Sequence, residues 1–252
     1  SRRRHTTYWR DWSSDVCSSD LVTIEAYSSF RTNRQRKAMF NPPNELSGLI
    51  DWNELFNGPP FAQEWLAYPI VPKGRLISFF GPAKIGKSLF VLELAASVAT
   101  GRPFLGHPTT KARVLYLDRE NDPKSEVRDR LEEMGFGAEE LKDKLLFLSY
   151  PTIGDLDTKS GAETLINWVV NHNIDFVIVD TISRFIAGKE NDNDTYFNLY
   201  KFTELELKKH GVTFLRIDHT GLETDGRARG ASAKEQDVDI TWSMVQIGRA
   251  HV

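Results

Sequence analysis

Cysteine is nearly missing from this chain: Cys17 is the only one in 252 residues. A disulfide framework and a cysteine-ligated metal are both excluded. Long apolar runs are lacking too. No stretch approaches the roughly 20 residues that a membrane-spanning helix needs, and no secretory leader is recognisable, so a cytoplasmic setting without membrane contact is the expectation. There is no internal repeat, no low-complexity tract and no Asn-Lys-x-Asp motif of the kind that reads guanine. The formal net charge is −3. A mildly acidic body argues against a protein that coats nucleic acid, although a local basic channel stays open.

The two ends read unlike the middle. Residues 11–21 look like a translated sequencing-library adapter, residues 1–6 like its upstream part, and residues 247–252 like the start of its reverse complement. We therefore expect 1–21 and 247–252 to be adapter-like artefacts. Cys17 falls inside the first of them, and the Arg2-Arg3-Arg4 run is then no nucleic-acid arm. Between them, residues 22–72 are rich in turn signals such as Asn41-Pro42-Pro43-Asn44 and Asn57-Gly58-Pro59-Pro60. They read as an N-terminal extension or linker, with one short amphipathic helix over 46–56. Residues 73–246 read as the core, open at its C-terminal end.

What is present in the core is a phosphate-binding pattern in the right setting. Gly81-Pro82-Ala83-Lys84-Ile85-Gly86-Lys87-Ser88 fits G-x-x-x-x-G-K-[ST], preceded by the apolar run 76–80 and followed by a helical stretch over 89–99 that begins at Leu89. The glycines let the backbone wrap closely around an anion, and the helix adds its positive N-terminal end. Lys87 is expected to reach the β- and γ-phosphates, and Ser88 to ligate Mg²⁺ through its hydroxyl. The pattern points to nucleoside triphosphate binding.

Downstream, short apolar runs alternate with helical stretches. Strands are expected at 76–80, 114–117, 145–148, 176–179, 212–217 and 240–245; helices at 89–99, 123–134, 162–171 and 195–209. This is an α/β pattern with a mainly parallel sheet covered by helices on both faces. In such sheets ligands sit beyond the carboxyl ends of the strands. At those ends stand Asp180, able to hold a Mg²⁺ shell; Glu120, two residues past Asp118, able to orient a water and accept its proton; and His219, able to sense a phosphate. Each has a plainer reading: a chance strand-end acid, a cap or solvated residue at the helix near Pro123, and a histidine held by local hydrogen bonds. The stretch 221–237 carries Arg227, Arg229 and Lys234, which suit either DNA phosphate contacts or a solvated surface loop.

Taken together, Gly81–Ser88, Asp118-Arg119-Glu120, Asp180-Thr181-Ile182-Ser183-Arg184, Asp218-His219-Thr220-Gly221 and the 229–234 segment resemble the RepA-like and DnaB-like RecA-fold ATPases, in the form of phage and plasmid "AAA family ATPases". The resemblance spans roughly residues 65–246. It implies a RecA-like P-loop core and ATP as the nucleotide. It also implies Lys87, Glu120, Asp180 and His219 as catalytic groups, and a homo-oligomeric ring, such as a hexamer, around single-stranded DNA. Thr181 stands where AAA+ ATPases place their catalytic glutamate. The family's hairpin of trans-acting basic residues would lie past Gln246, so this chain is expected to bind ATP and turn it over slowly. A regulatory or assembly ATPase similar to KaiC, indifferent to DNA, is the alternative; a small-molecule kinase is disfavoured because Glu120 fits a water-activating position and no Arg-rich lid is evident.

Overall fold

The computed structural model describes residues 49–60, 62–190, 192–219 and 237–245. The chain divides after Pro60 into two units. Of the first, helix α1 (Trp52–Asn57) is described. It starts later than the hydrophobic spacing predicts because Asp51 caps it, its carboxylate accepting from the amides of Asn53 at 2.8 Å and Glu54 at 3.3 Å.

The second unit opens with a small antiparallel hairpin, β1 (Trp65–Ala67) and β2 (Val71–Pro72). The expected extension ran through residue 72, yet Leu66, Ala67 and Val71 are buried in the core. The core thus takes in residues that turn signals alone assign to a linker. Leu66, Ala67 and Val71 are apolar, and the hairpin register that sets Ala67 opposite Val71 lets them be buried together.

The main sheet has six strands: β3 (Leu76–Gly81), β4 (Val114–Asp118), β5 (Leu145–Ser149), β6 (Phe176–Asp180), β7 (Thr213–His219) and β8 (Ile240–Ser243). Their order is β5-β4-β6-β7-β3-β8, and every pairing is parallel. Side-chain alternation divides the interior in two. Ile77, Phe79, Val114, Tyr116, Phe176, Ile178, Leu215 and Ile217 join Val91, Leu92, Leu94, Ala95 and Val98 of α2 (Lys87–Thr100) on one face. Leu76, Leu115, Leu117, Val177, Val179 and Phe214 join Leu165 and Val169 of α5 (Lys159–Asn171), with Tyr196, Leu199 and Leu207, on the other. Burial on both faces is why β4 and β6 are apolar at every position before their final aspartate instead of at every second one. The result is an α/β fold with a RecA-like P-loop core.

Between β4 and β5 lie α3 (Arg128–Glu133) and α4 (Ala138–Leu141). The helix expected over 123–134 is interrupted: Pro123–Val127 forms a π-type turn started by Asp122, whose carboxylate accepts from the amides of Lys124 and Ser125 at 3.0 and 2.8 Å. The helix expected over 195–209 is likewise broken into α6 (Asn193–Leu199), a π-type turn (Tyr200–Glu204) and α7 (Leu205–Lys209). That turn carries the buried Thr203 and Glu204 inward. The Thr203 hydroxyl donates to the Leu156 carbonyl at 2.6 Å, and Glu204 pairs with Arg216 of β7, both fully buried. Among the described residues no helix is long and apolar enough to cross a membrane.

Candidate functional site

β4, β6, β7 and β3 are consecutive neighbours in the sheet. Four of the strands extend past their apolar runs, so their last residues are ladder positions and not loop positions: Asp118 is in register with Asp180, and Gly81 with His219. Each polar side chain named for the strand ends is thus fixed by backbone pairing close to where it stands.

After β3 the chain turns through an open loop. Lys84 adopts a φ of 63° and Gly86 one of 105°. The Phe90 amide then donates to the Gly86 carbonyl at 3.0 Å as α2 begins. Gly86 must be glycine for its backbone angle alone, since no atom lies within 4 Å of where a Cβ would stand. Gly81 must be glycine for space, because the Met244 carbonyl would meet its Cβ at 2.7 Å. Pro82, Ala83, Lys84, Gly86 and Leu89 are exposed, while Ile85 and Ser88 are half-buried.

Lys87 is buried, with 4% of its surface exposed. Its ammonium donates back to the carbonyls of Gly81 and Pro82, both at 2.9 Å, and to His219 Nδ1 at 3.3 Å. Burial holds its pKa below the usual lysine value, and the carboxylates of Asp180, Asp218 and Glu120 counteract that. An ammonium can only donate, so Nδ1 of His219 is the acceptor and Nε2 carries the proton. Burial, then the nearby Lys87 charge, push the His219 pKa down, which keeps the ring neutral.

Asp180 is buried at 1% exposure. The Tyr116 hydroxyl donates to its Oδ2 at 2.7 Å. Burial raises its pKa to about 6, opposed by the Tyr116 hydroxyl and by the nearby Ser88 hydroxyl. Its Oδ1 has no partner among the described residues. A buried carboxylate oxygen left open beside a serine hydroxyl is the donor chemistry that a hard divalent cation takes. No group of three histidine, cysteine or acidic side chains is placed to hold a metal alone among the described residues. These residues therefore fit a Mg²⁺ that completes its shell with water and phosphate oxygens.

Glu120 arrives from the neighbouring strand. Asp118 shapes the turn that carries it: Oδ1 accepts from the amides of Glu120 at 2.6 Å and Asn121 at 2.9 Å, and Oδ2 from the Asn121 side chain at 2.7 Å. The Glu120 carboxylate reaches across to β6, accepting at Oε1 from the Thr181 hydroxyl at 3.3 Å and from Arg184 Nε at 3.0 Å. Thus the position after Asp180 holds no acid of its own, and Glu120 of the adjacent strand comes to it. Lys87, Ser88, Glu120, Asp180 and His219 form one constellation. Arg227, Arg229 and Lys234 lie outside the described residues.

Several residues in this constellation went unassigned by motif reasoning. Tyr116 and Arg184 sit directly on the carboxylates. Tyr196 donates to Asp218 Oδ2 at 3.1 Å, beneath His219. Arg119 donates to the carbonyls of Arg184, Ile153 and Pro151 at 2.6, 2.7 and 3.3 Å, while its guanidinium lies 4.3 Å from the Phe185 ring centroid. Arg119 therefore ties together the segments that follow β4, β5 and β6. A tyrosine in an apolar strand carries no sequence signal for such a contact.

A family model described as an AAA domain matches residues 41–225. The chain belongs to the AAA domain family. The match takes in the loop after β3, Glu120, Asp180 and His219, and makes this member of the AAA domain family a nucleotide-binding P-loop ATPase. A search of curated proteins gave no match.

Proposed function

We propose that this AAA domain chain hydrolyses ATP with Mg²⁺ and acts on single-stranded DNA as a subunit of a homo-oligomeric ring, in the manner of the phage and plasmid replicative helicases its motifs resemble. The observation that carries the hydrolytic part is the convergence of Lys87, the Ser88–Asp180 pair, Glu120 and His219 at the carboxyl ends of adjacent strands. On this reading Lys87 leaves the carbonyls of Gly81 and Pro82 for the β- and γ-phosphates. The loop amides and the start of α2 hold the rest of the triphosphate. Ser88 and Asp180 hold the Mg²⁺, which neutralises charge building on the phosphate oxygens. Glu120 orients the attacking water and accepts its proton. His219, losing the hydrogen bond it accepts from Lys87, reports the presence of phosphate to the segment that follows β7. The DNA and ring parts rest on the resemblance and on Arg227, Arg229 and Lys234.

The test is an ATPase assay with and without single-stranded DNA at two salt concentrations. Stimulation that falls with salt supports the DNA motor, since phosphate contacts release counterions. Hydrolysis indifferent to DNA points instead to a regulatory or assembly ATPase.

A further inference from the structure

Two donors converge on one oxygen of Glu120: the Thr181 hydroxyl and Arg184 Nε both reach Oε1, at 3.3 and 3.0 Å. Among the described residues Oε2 accepts no hydrogen bond, although Glu120 lies close enough to act on the charges of Lys87 and His219. One oxygen is anchored and the other presented, as a carboxylate that must hold a water in a fixed direction requires.

The anchor is itself braced. Arg184 ends a short 3₁₀ turn (Ile182–Arg184) immediately after Asp180-Thr181, its amide donating to the Thr181 carbonyl at 3.0 Å. Its own carbonyl accepts from Arg119 at 2.6 Å, and Arg119 is fixed over Phe185. Thus two strands, β4 and β6, present a carboxylate and its clamp across the same gap. The Arg184 side chain is 62% exposed and that of Glu120 36%. Exposed pairs of this kind contribute little to stability. Its geometry therefore matters more to the site than to the fold.

We propose that Arg184 is a positioning residue for hydrolysis: it fixes Oε1 of Glu120 so that Oε2 faces the attacking water. This rests on the reading of Glu120 as the water-activating base. Arg184 acts through Glu120 and makes no contact with nucleotide in the step.

The experiment uses the full 252-residue chain and its variants E120Q, R184A and R184K, with single-turnover ATP hydrolysis, affinity for a fluorescent ATP analogue, and thermal unfolding. For R184A the expectation is a hydrolysis rate lowered about tenfold to a hundredfold, the size of effect a small misplacement of a reacting group produces. Analogue affinity should stay within about twofold and the unfolding midpoint should not move. R184K should recover part of the rate, and guanidinium added to R184A likewise, because each restores a cation beside Oε1. Three results would overturn the proposal. An unchanged R184A rate with E120Q inactive leaves the base in place and removes Arg184 from its support. A loss of analogue affinity in R184A that matches its loss of rate makes Arg184 a phosphate contact instead. Full turnover by E120Q refutes the base reading itself and this proposal with it.

Discussion

Replacing Lys87 by methionine keeps the buried stem and removes the charge, which makes it the sharpest test of the loop after β3. In bound form an ammonium about 4 Å from a phosphate charge is worth roughly 4 kcal/mol at the effective dielectric of a partly buried site. That gain is not all net. Without nucleotide the ammonium already donates to Gly81, Pro82 and His219, at 2.9, 2.9 and 3.3 Å. Giving up three such bonds costs about 1 kcal/mol each or somewhat less, on the usual net scale for intramolecular hydrogen bonds. The difference is roughly 1–3 kcal/mol, or about fivefold to 150-fold in triphosphate affinity. Titration calorimetry with a non-hydrolysable ATP analogue and Mg²⁺ reads this directly. A nucleoside monophosphate should bind both proteins alike, because Lys87 is expected to reach only the outer phosphates. Unchanged triphosphate affinity in a folded K87M chain would refute the assignment. A loss far beyond a hundredfold would show that the lysine's unliganded contacts are worth less than this accounting gives them.

Other outcomes follow from the same geometry. Gly86→Ala should lower stability by about 1 kcal/mol, the cost of a left-handed angle for a residue with a Cβ less the smaller gain from a stiffer unfolded chain; with no atom within 4 Å of the added carbon, urea unfolding measures this without a steric clash, and a raised midpoint would contradict the 105° angle. Glu204→Ala removes one carboxylate from the fully buried Arg216, whose charge Asp237 also faces, and should cost up to about 3–5 kcal/mol; a loss under 1 kcal/mol by the same assay would mean that Arg216 is satisfied without Glu204. Asp239 contributes to the acid pH dependence of stability. Burial alone would raise its pKa, but the Leu76 amide, Lys208 and Arg75 outweigh burial and hold it below the usual carboxylate value. A depressed folded pKa adds stability that is complete above the unfolded value near 4 and is lost as pH falls through the folded value. Asp239→Asn should therefore flatten the acid limb of the stability curve and leave its slope near neutrality unchanged; an unaltered acid limb would remove Asp239 from that role.

Much of this protein was legible in its sequence because the strongest signals are local. Apolar runs buried on both faces cannot hide, so the sheet's strands were found to within a residue or two of their starts. The phosphate-loop pattern is a local demand on backbone angle and close approach, and it was read directly at Gly81 and Gly86. Asp118-Arg119-Glu120 and Asp180 were visible because strand ends in a parallel sheet are where polar groups interrupt apolar ones. The hairpin at 65–72 was missed because the turn signals at 41–44 and 57–60 set the reading for the residues that follow them, and strands of three and two residues are too short to show a periodicity. The two π-type turns were missed because helical periodicity alone does not reveal an inward-facing Glu204 or a wider first turn over Pro123–Val127.

The sequence by itself determined the α/β alternation, the loop, and the identity of the strand-end acids, since each follows from neighbours in the chain. Only the tertiary structure decided which of those ends meet. Strand order sets β6 beside β4, and that adjacency carries Glu120 to Thr181 and Arg184, more than sixty positions along the chain. It sets β7 beside β3, which brings His219 to Lys87. Order in a sheet is fixed by the packing of two helical layers against it, a sum over contacts between segments remote in sequence, and no local pattern encodes that sum.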